Sequence, residues 1–127
     1  MFGQKKQPTI RSLVGEGALF EGTLRFSDGL RIDGEVLGDV IALGGSSNML
    51  FISEKAKVNG TVKAGHVIIN GAVNGPVIST HMLELQSRAH IQGDIRYVAL
   101  EMHQGAVIEG SLNKMTDEEK TALVASS

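Results

Sequence analysis

The residues from Leu83 to Leu112 repeat at an offset of 17: Leu83 falls on Leu100, Leu85 on Met102, Ala89 on Ala106, Ile91 on Ile108, Gly93 on Gly110 and Ile95 on Leu112. Within each copy, small or apolar residues take every second position, while Glu84, Gln86, Arg88, His90, Gln92 and Asp94 take the positions between. A period of two is that of an extended chain with one dry and one wet face. Leu83 to Ile95 is long for one flat strand, so the run must bend round corners while keeping its alternation. An odd repeat length also needs one parity slip per copy, which Tyr97-Val98 supplies. Each copy is then one circuit of a coil whose backbone pairs with the circuits above and below.

The same unit (small or aliphatic, x, apolar, x, Gly, x, apolar) occurs six times, with its glycine at 22, 38, 60, 75, 93 and 110. The successive spacings are 16, 22, 15, 18 and 17. The outlier contains Gly44-Gly45-Ser46-Ser47-Asn48, a turn-rich insertion expected to loop out and leave the register intact. The repeating glycines share the inward parity, and the expected reason is a lack of room for a side chain near a sharp corner. The reading is therefore an all-β, single-domain parallel β-helix of about six turns over residues 16–113. Residues 1–15 form a polar, basic, disordered lead and residues 114–127 a frayed tail. In that tail Thr116-Asp117-Glu118-Glu119 has the form of a capping box, enough for one or two helical turns.

Composition narrows the function. Sixteen glycines and five aromatic residues (four Phe, one Tyr) suit a core of stacked aliphatic side chains rather than a bulky globular one. The absence of cysteine removes disulfides and thiolate metal sites. No apolar run approaches the roughly 20 residues of a membrane-spanning helix, and no cleavable signal is seen, which suits a cytosolic chain. Residues 16–113 carry seven basic and eleven acidic side chains, a net −4 that argues against nucleic-acid binding. Lys5, Lys6 and Arg11 stand apart in an acid-free N-terminal stretch.

No catalytic constellation emerges. The glycines do not form a phosphate cradle, because no Gly-Lys-Ser/Thr follows them. His66, His81, His90 and His103 are irregularly spaced and read as surface residues rather than metal ligands. Asp33, Glu35 and Asp39 line one outer strip with nothing apolar to raise a pKa. Neither an enzyme site nor a cofactor is expected.

The opening Met1-Phe2 with Lys5-Lys6, the repeats Ile32-Asp33-Gly34-Glu35-Val36 and Ile69-Asn70-Gly71-Ala72-Val73, and the closing Gly105-Ala106-Val107-Ile108-Glu109-Gly110 resemble the bactofilins, a polymer-forming bacterial cytoskeletal family. The resemblance covers the repeat body and the N-terminal tail. It implies a three-sided, right-handed β-helix that polymerises end to end, without nucleotide, into filaments lacking polarity. It further implies attachment to the inner face of the cytoplasmic membrane through Met1, Phe2, Lys5 and Lys6, and scaffolding of cell-wall synthesis or cell-shape proteins. The family often has an aromatic residue at the end-to-end contact of the last turn, where this chain has Ile108.

Physical reasoning reaches self-assembly separately. A coil of stacked strands ends in two turns whose backbone groups lack partners and whose apolar interior meets water, unless something caps them. The expected homopolymer contact comprises Ala18, Phe20 and Leu24 at one rim and Leu100, Met102, Ile108 and Leu112 at the other. Three alternatives stand beside this reading. One is a left-handed acyltransferase-like β-helix, whose strict 18-residue circuit fits the spacings poorly. Another is a monomer whose tails fold back as caps. The last is a binding module that docks a partner on outward residues such as Ile41 and Ile78.

Overall fold

The computed structural model describes residues 10–45 and 47–125. Among these residues are sixteen strands, numbered in chain order, and one helix, and every strand pairing is parallel. The chain visits three faces in the same order on each circuit. The first face stacks β2 (Leu19–Glu21), β5 (Glu35–Leu37), β8 (Lys57–Asn59), β10 (Ala72–Asn74), β12 (His90–Gln92) and β15 (Val107–Glu109). The second stacks β3 (Leu24–Phe26), β6 (Val40–Ala42), the first half of β9 (Val62–Ile69), the first half of β11 (Val77–Leu85), β13 (Ile95–Tyr97) and β16 (Leu112–Lys114). The third stacks β1 (Ile10–Val14), β4 (Gly29–Ile32), β7 (Met49–Ile52), the second halves of β9 and β11, and β14 (Leu100–Met102). Six levels on each face make a solenoid of about six turns, the number of repeats in the sequence.

The register on the first face follows the glycine spacing. Phe20 pairs with Val36, Val36 with Val58, Val58 with Val73, Val73 with Ile91 and Ile91 with Ile108. These side chains point inward, where their branched shapes stack along the axis. Val36, Val58, Val73 and Ile91 are at most 1% exposed, and each such burial stabilises by about 1.5–3 kcal/mol. Tyr97 ends β13 and Val98 follows it into the corner before β14, where the parity slip was expected.

Glycine is required at the corner after each first-face strand from β5 onward, for a reason that differs from the one read in the sequence. Gly75 sits at φ +150°, and a Cβ there would lie 2.1 Å from the carbonyl oxygen of Gly60 in the previous turn. The obstruction comes along the solenoid axis, from the neighbouring turn's backbone, and not from crowding in the interior. The same contact recurs at Gly38, Gly60, Gly93 and Gly110, so each glycine is the seat for the next.

The insertion after β6 leaves the register intact, since Val40 pairs with Val62 across it. It does not simply loop out. Asn48 is 2% exposed, and its Nδ2 donates to the Gly45 carbonyl at 3.1 Å and more loosely to those of Leu43 and Gly44 at 3.4 and 3.5 Å. Its Oδ1 accepts from the Gly65 amide at 2.6 Å, and one turn further the Ser79 hydroxyl donates to the Gly65 carbonyl at 2.9 Å. A buried polar ladder thus lines the corner where β9 and β11 bend from the second face to the third. An Asn48→Ala substitution should cost about 2–3 kcal/mol, because it strands the Gly65 amide without water. The expected result in a thermal melt is a drop of several degrees, and an unchanged melt would show that the ladder is dispensable.

Beyond β16 the capping box forms as its spacing predicted. The Thr116 amide donates to Glu119 Oε1 at 3.0 Å, and the Glu119 amide donates to Thr116 Oγ1 at 3.1 Å. The helix it opens, α1 (Asp117–Ala125), is longer than the one or two turns expected and does not fray into solvent. It lies back along the second face, packed against β11. Arg96 pairs with Glu119 at 3.1 Å, and Lys63 Nζ donates to the Leu123 carbonyl at 3.3 Å, a cation at the helix C-terminus. A helix this short depends on such docking. Among the described residues no helix is long and apolar enough to cross a membrane.

Candidate polymerisation rims

The two ends of the solenoid differ sharply from its middle. In the central turns Val40, Val62, Val77 and Ile95 of the second face are fully buried. Their counterparts in the first and last turns, Leu24 and Leu112, are half-buried and 41% exposed. The third face repeats this pattern: Leu85 is fully buried, while its partner Met102 in the last turn is 46% exposed. Phe20 and Ile108, the end members of the first-face column, are both half-buried.

Each rim residue expected from the sequence lies in a terminal turn. Ala18 is the exposed residue just before β2, with Phe20 in β2 and Leu24 in β3. Leu100 and Met102 are in β14, Ile108 in β15 and Leu112 in β16. Among the described residues, terminal strands β2 and β15 each pair on one side only, which leaves one edge of backbone donors and acceptors open. The two rims are thus apolar ledges bordered by unpaired strand edges. Met115, which follows β16, is 5% exposed and was not anticipated; only its apolar character could have marked it. Met1, Phe2, Lys5 and Lys6 lie outside the described residues.

Several charged groups on the outer faces pair with one another. Asp33 accepts from Arg31 Nε at 2.9 and 3.1 Å, and the Arg31 guanidinium, with help from Ser53, holds its carboxyl below the usual range. Asp39 Oδ1 accepts from the Thr61 amide at 2.8 Å, stitching two turns together, and Asp94 does the same for the Ser111 amide at 3.1 Å. Of the strip of carboxylates read in the sequence, Asp39 thus ties two turns, while Asp33 is held by Arg31 of its own turn. An open cleft of about 360 Å³ lies over Arg31, Asp33, Phe51, Ser53 and Lys55, and its charges are already paired, Lys55 with Glu16 at 3.1 Å.

Three of the histidines sit on the outer surface as expected, and the fourth, His66, is half-buried there. His90 Nε2 is 2.7 Å from Glu109, and His103 Nε2 is 3.1 Å from Glu101 and 3.5 Å from Glu84. Burial lowers the His66 pKa from the ordinary histidine value, and the ring packs edge-on with His81 at a centroid distance of 6.4 Å. Ile41 and Ile78, weighed as outward docking residues, fall in one line with Arg25, Lys63 and Arg96 on the second face. That is the face on which the chain's own α1 lies.

A solenoid with two open apolar rims invites comparison with known assemblies. The family described as Bactofilin, polymer-forming cytoskeletal, matches residues 12–113. The chain belongs to the bactofilins. A solved structure described as a cryo-EM reconstruction of Thermus thermophilus bactofilin double helical filaments is similar at 27% identity and a TM-score of 0.73, covering 83% of this chain and all of that one. No curated protein matches the chain with significance. The matched segment begins in β1 and ends in β16, so the bactofilin region is the solenoid itself, with α1 beyond it. This bactofilin is accordingly a polymer-forming cytoskeletal protein of the β-solenoid type.

Proposed function

We propose that this bactofilin polymerises rim to rim, without nucleotide, into double helical filaments on the inner face of the cytoplasmic membrane, where they organise cell-wall synthesis or cell-shape proteins. The observation that carries the reading is the exposure of Leu112 and Met102 at one end and the half-buried Phe20 and Leu24 at the other. Joining such rims buries apolar side chains and completes the strand ladders at the same time, so the contact gains from both terms. In keeping with the family resemblance, like rims meet like, giving filaments without polarity. Because the fold supplies all of the adhesive surface, nucleotide hydrolysis is not needed to build the polymer.

Membrane attachment is assigned to Met1, Phe2, Lys5 and Lys6. One such peptide binds weakly, each basic residue adding about 1 kcal/mol at an anionic surface. A filament presents many copies at once and turns later contacts into intramolecular steps. Negative-stain microscopy of purified protein, with and without added nucleotide, is expected to show the same filaments in both. Removing residues 1–7 should abolish sedimentation with anionic liposomes and leave filaments unchanged. Filaments that require nucleotide, or a truncated protein that still binds liposomes, would refute the corresponding half of the reading.

A further inference from the structure

The outward side of the third face carries a pattern that neither the rims nor the tail accounts for. Strand register aligns Leu13, Arg31, Phe51, Ile68, Glu84 and Glu101 in one outward column, one residue per turn. A second column beside it contains Met49, His66 and Met82. The middle of this face is therefore apolar, with Phe51, Ile68, Met49 and Met82 all half-buried on the solvent side of the sheet. The second face is occupied by α1, and the corresponding middle turns of the first face present Lys57, Asn59 and Asn74. Among the described residues, only the third face flanks its apolar centre with opposite charges, Arg31 on one side and Glu84 on the other.

The central four residues of that column, from Arg31 to Glu84, are self-complementary when reversed. Inverting it about the midpoint between Phe51 and Ile68 sets Phe51 against Ile68 and Arg31 against Glu84. We propose that this face pairs with the same face of a second copy, the two solenoid axes running antiparallel, with Arg31 of each copy against Glu84 of the other. Parallel pairing would put Arg31 opposite Arg31 and Glu84 opposite Glu84, and like charges set directly opposite are unfavourable. The groups are held ready for this contact. The Arg31 guanidinium lies over the Phe51 ring, 4.8 Å from its centroid, and engages Asp33 through Nε, so its two terminal amino groups are not used in that pair. Glu84 is steadied by Gln86 Nε2 at 3.2 Å.

The size of the face says when pairing occurs. Six levels at about 4.8 Å and a strand width of about 13 Å give roughly 375 Å² per copy, below the roughly 800 Å² per partner of a stable complex. Isolated subunits therefore pair weakly. Along a filament the contact repeats at every subunit and the strands are held by the sum. This proposal rests on the filament reading above and assigns the surface that joins two strands laterally.

The test is a charge swap read on assembled, full-length protein by electron microscopy of filament width. Wild type should give paired strands, while Arg31→Glu and Glu84→Arg should each give single strands of about half the width. The double variant R31E/E84R should restore pairing, and Met49→Lys, in the second column and register-paired with Gly29 and His66 and not with either charge, should also give single strands. Circular dichroism melts confirm that each variant is folded. Pairing that persists in both single swaps, a double variant that stays single, or third-face variants that lose liposome binding while remaining paired would each overturn the proposal. Failure of wild type to form filaments at all would instead strike the rim-to-rim reading, so the two are separable.

Discussion

A Gly75→Val protein should lose its cooperative thermal transition and be recovered mostly as insoluble material. The valine Cβ would have to occupy space 2.1 Å from the Gly60 carbonyl oxygen, in a backbone conformation of φ +150° that L-residues avoid. Conformational strain alone costs about 1–3 kcal/mol. The overlap cannot be relieved by a rotamer change, because the obstructing atom is backbone, fixed by the ladder of the turn below. Together these exceed about 4–5 kcal/mol, a large share of the roughly 5–15 kcal/mol that holds a domain folded. Gly15→Ala is the matched control, since a Cβ there meets nothing within 4 Å. A Gly75→Val protein that melts like wild type would show that the glycine column is not what sets the turn stacking.

The second large effect is on assembly. Phe20→Arg and Ile108→Arg each place a cation in the apolar ledge of one rim, where it would be buried without a partner on joining. A penalty of at least about 3 kcal/mol per junction raises the concentration needed for assembly by about 100-fold. If like rims meet like, each single variant spoils one kind of junction and leaves the other, so both should stop at dimers and the double variant at monomers. If unlike rims met, either single variant would yield monomers. Analytical ultracentrifugation separates these outcomes, and normal filaments from both variants would remove the rims from the polymer contact. Both positions are half-buried in terminal turns, so the folded solenoid should survive either change.

How much of this was legible in the sequence follows from how local each feature is. The inward column from Phe20 to Ile108 could be written down in advance, because a parallel coil converts a sequence offset directly into a strand register. The same holds for the residues of the two rims, which are the first and last members of that column and its neighbours. Asn48 was invisible as a structural residue. Its role depends on Gly65, 17 residues away, arriving in the next turn with an unpaired amide, and Asn in a glycine-rich stretch otherwise reads as a turn former. The capping box was local and was seen, whereas the docking of α1 depends on Arg96 and Lys63 standing on one face of different turns.

The sequence by itself determined the coil: its period, its inward and outward residues and the number of its turns, though not its first strand, since β1 falls in the stretch read as a disordered lead. Alternation and repeat length act between near neighbours or between equivalent positions of a repeat, and both can be counted along the chain. The tertiary structure alone decided which outward residues share a face, which of those faces the chain's own helix covers, and that each corner glycine is held by the carbonyl of the turn before it. Those relations run across the solenoid axis, between residues whose adjacency is created only when the turns stack.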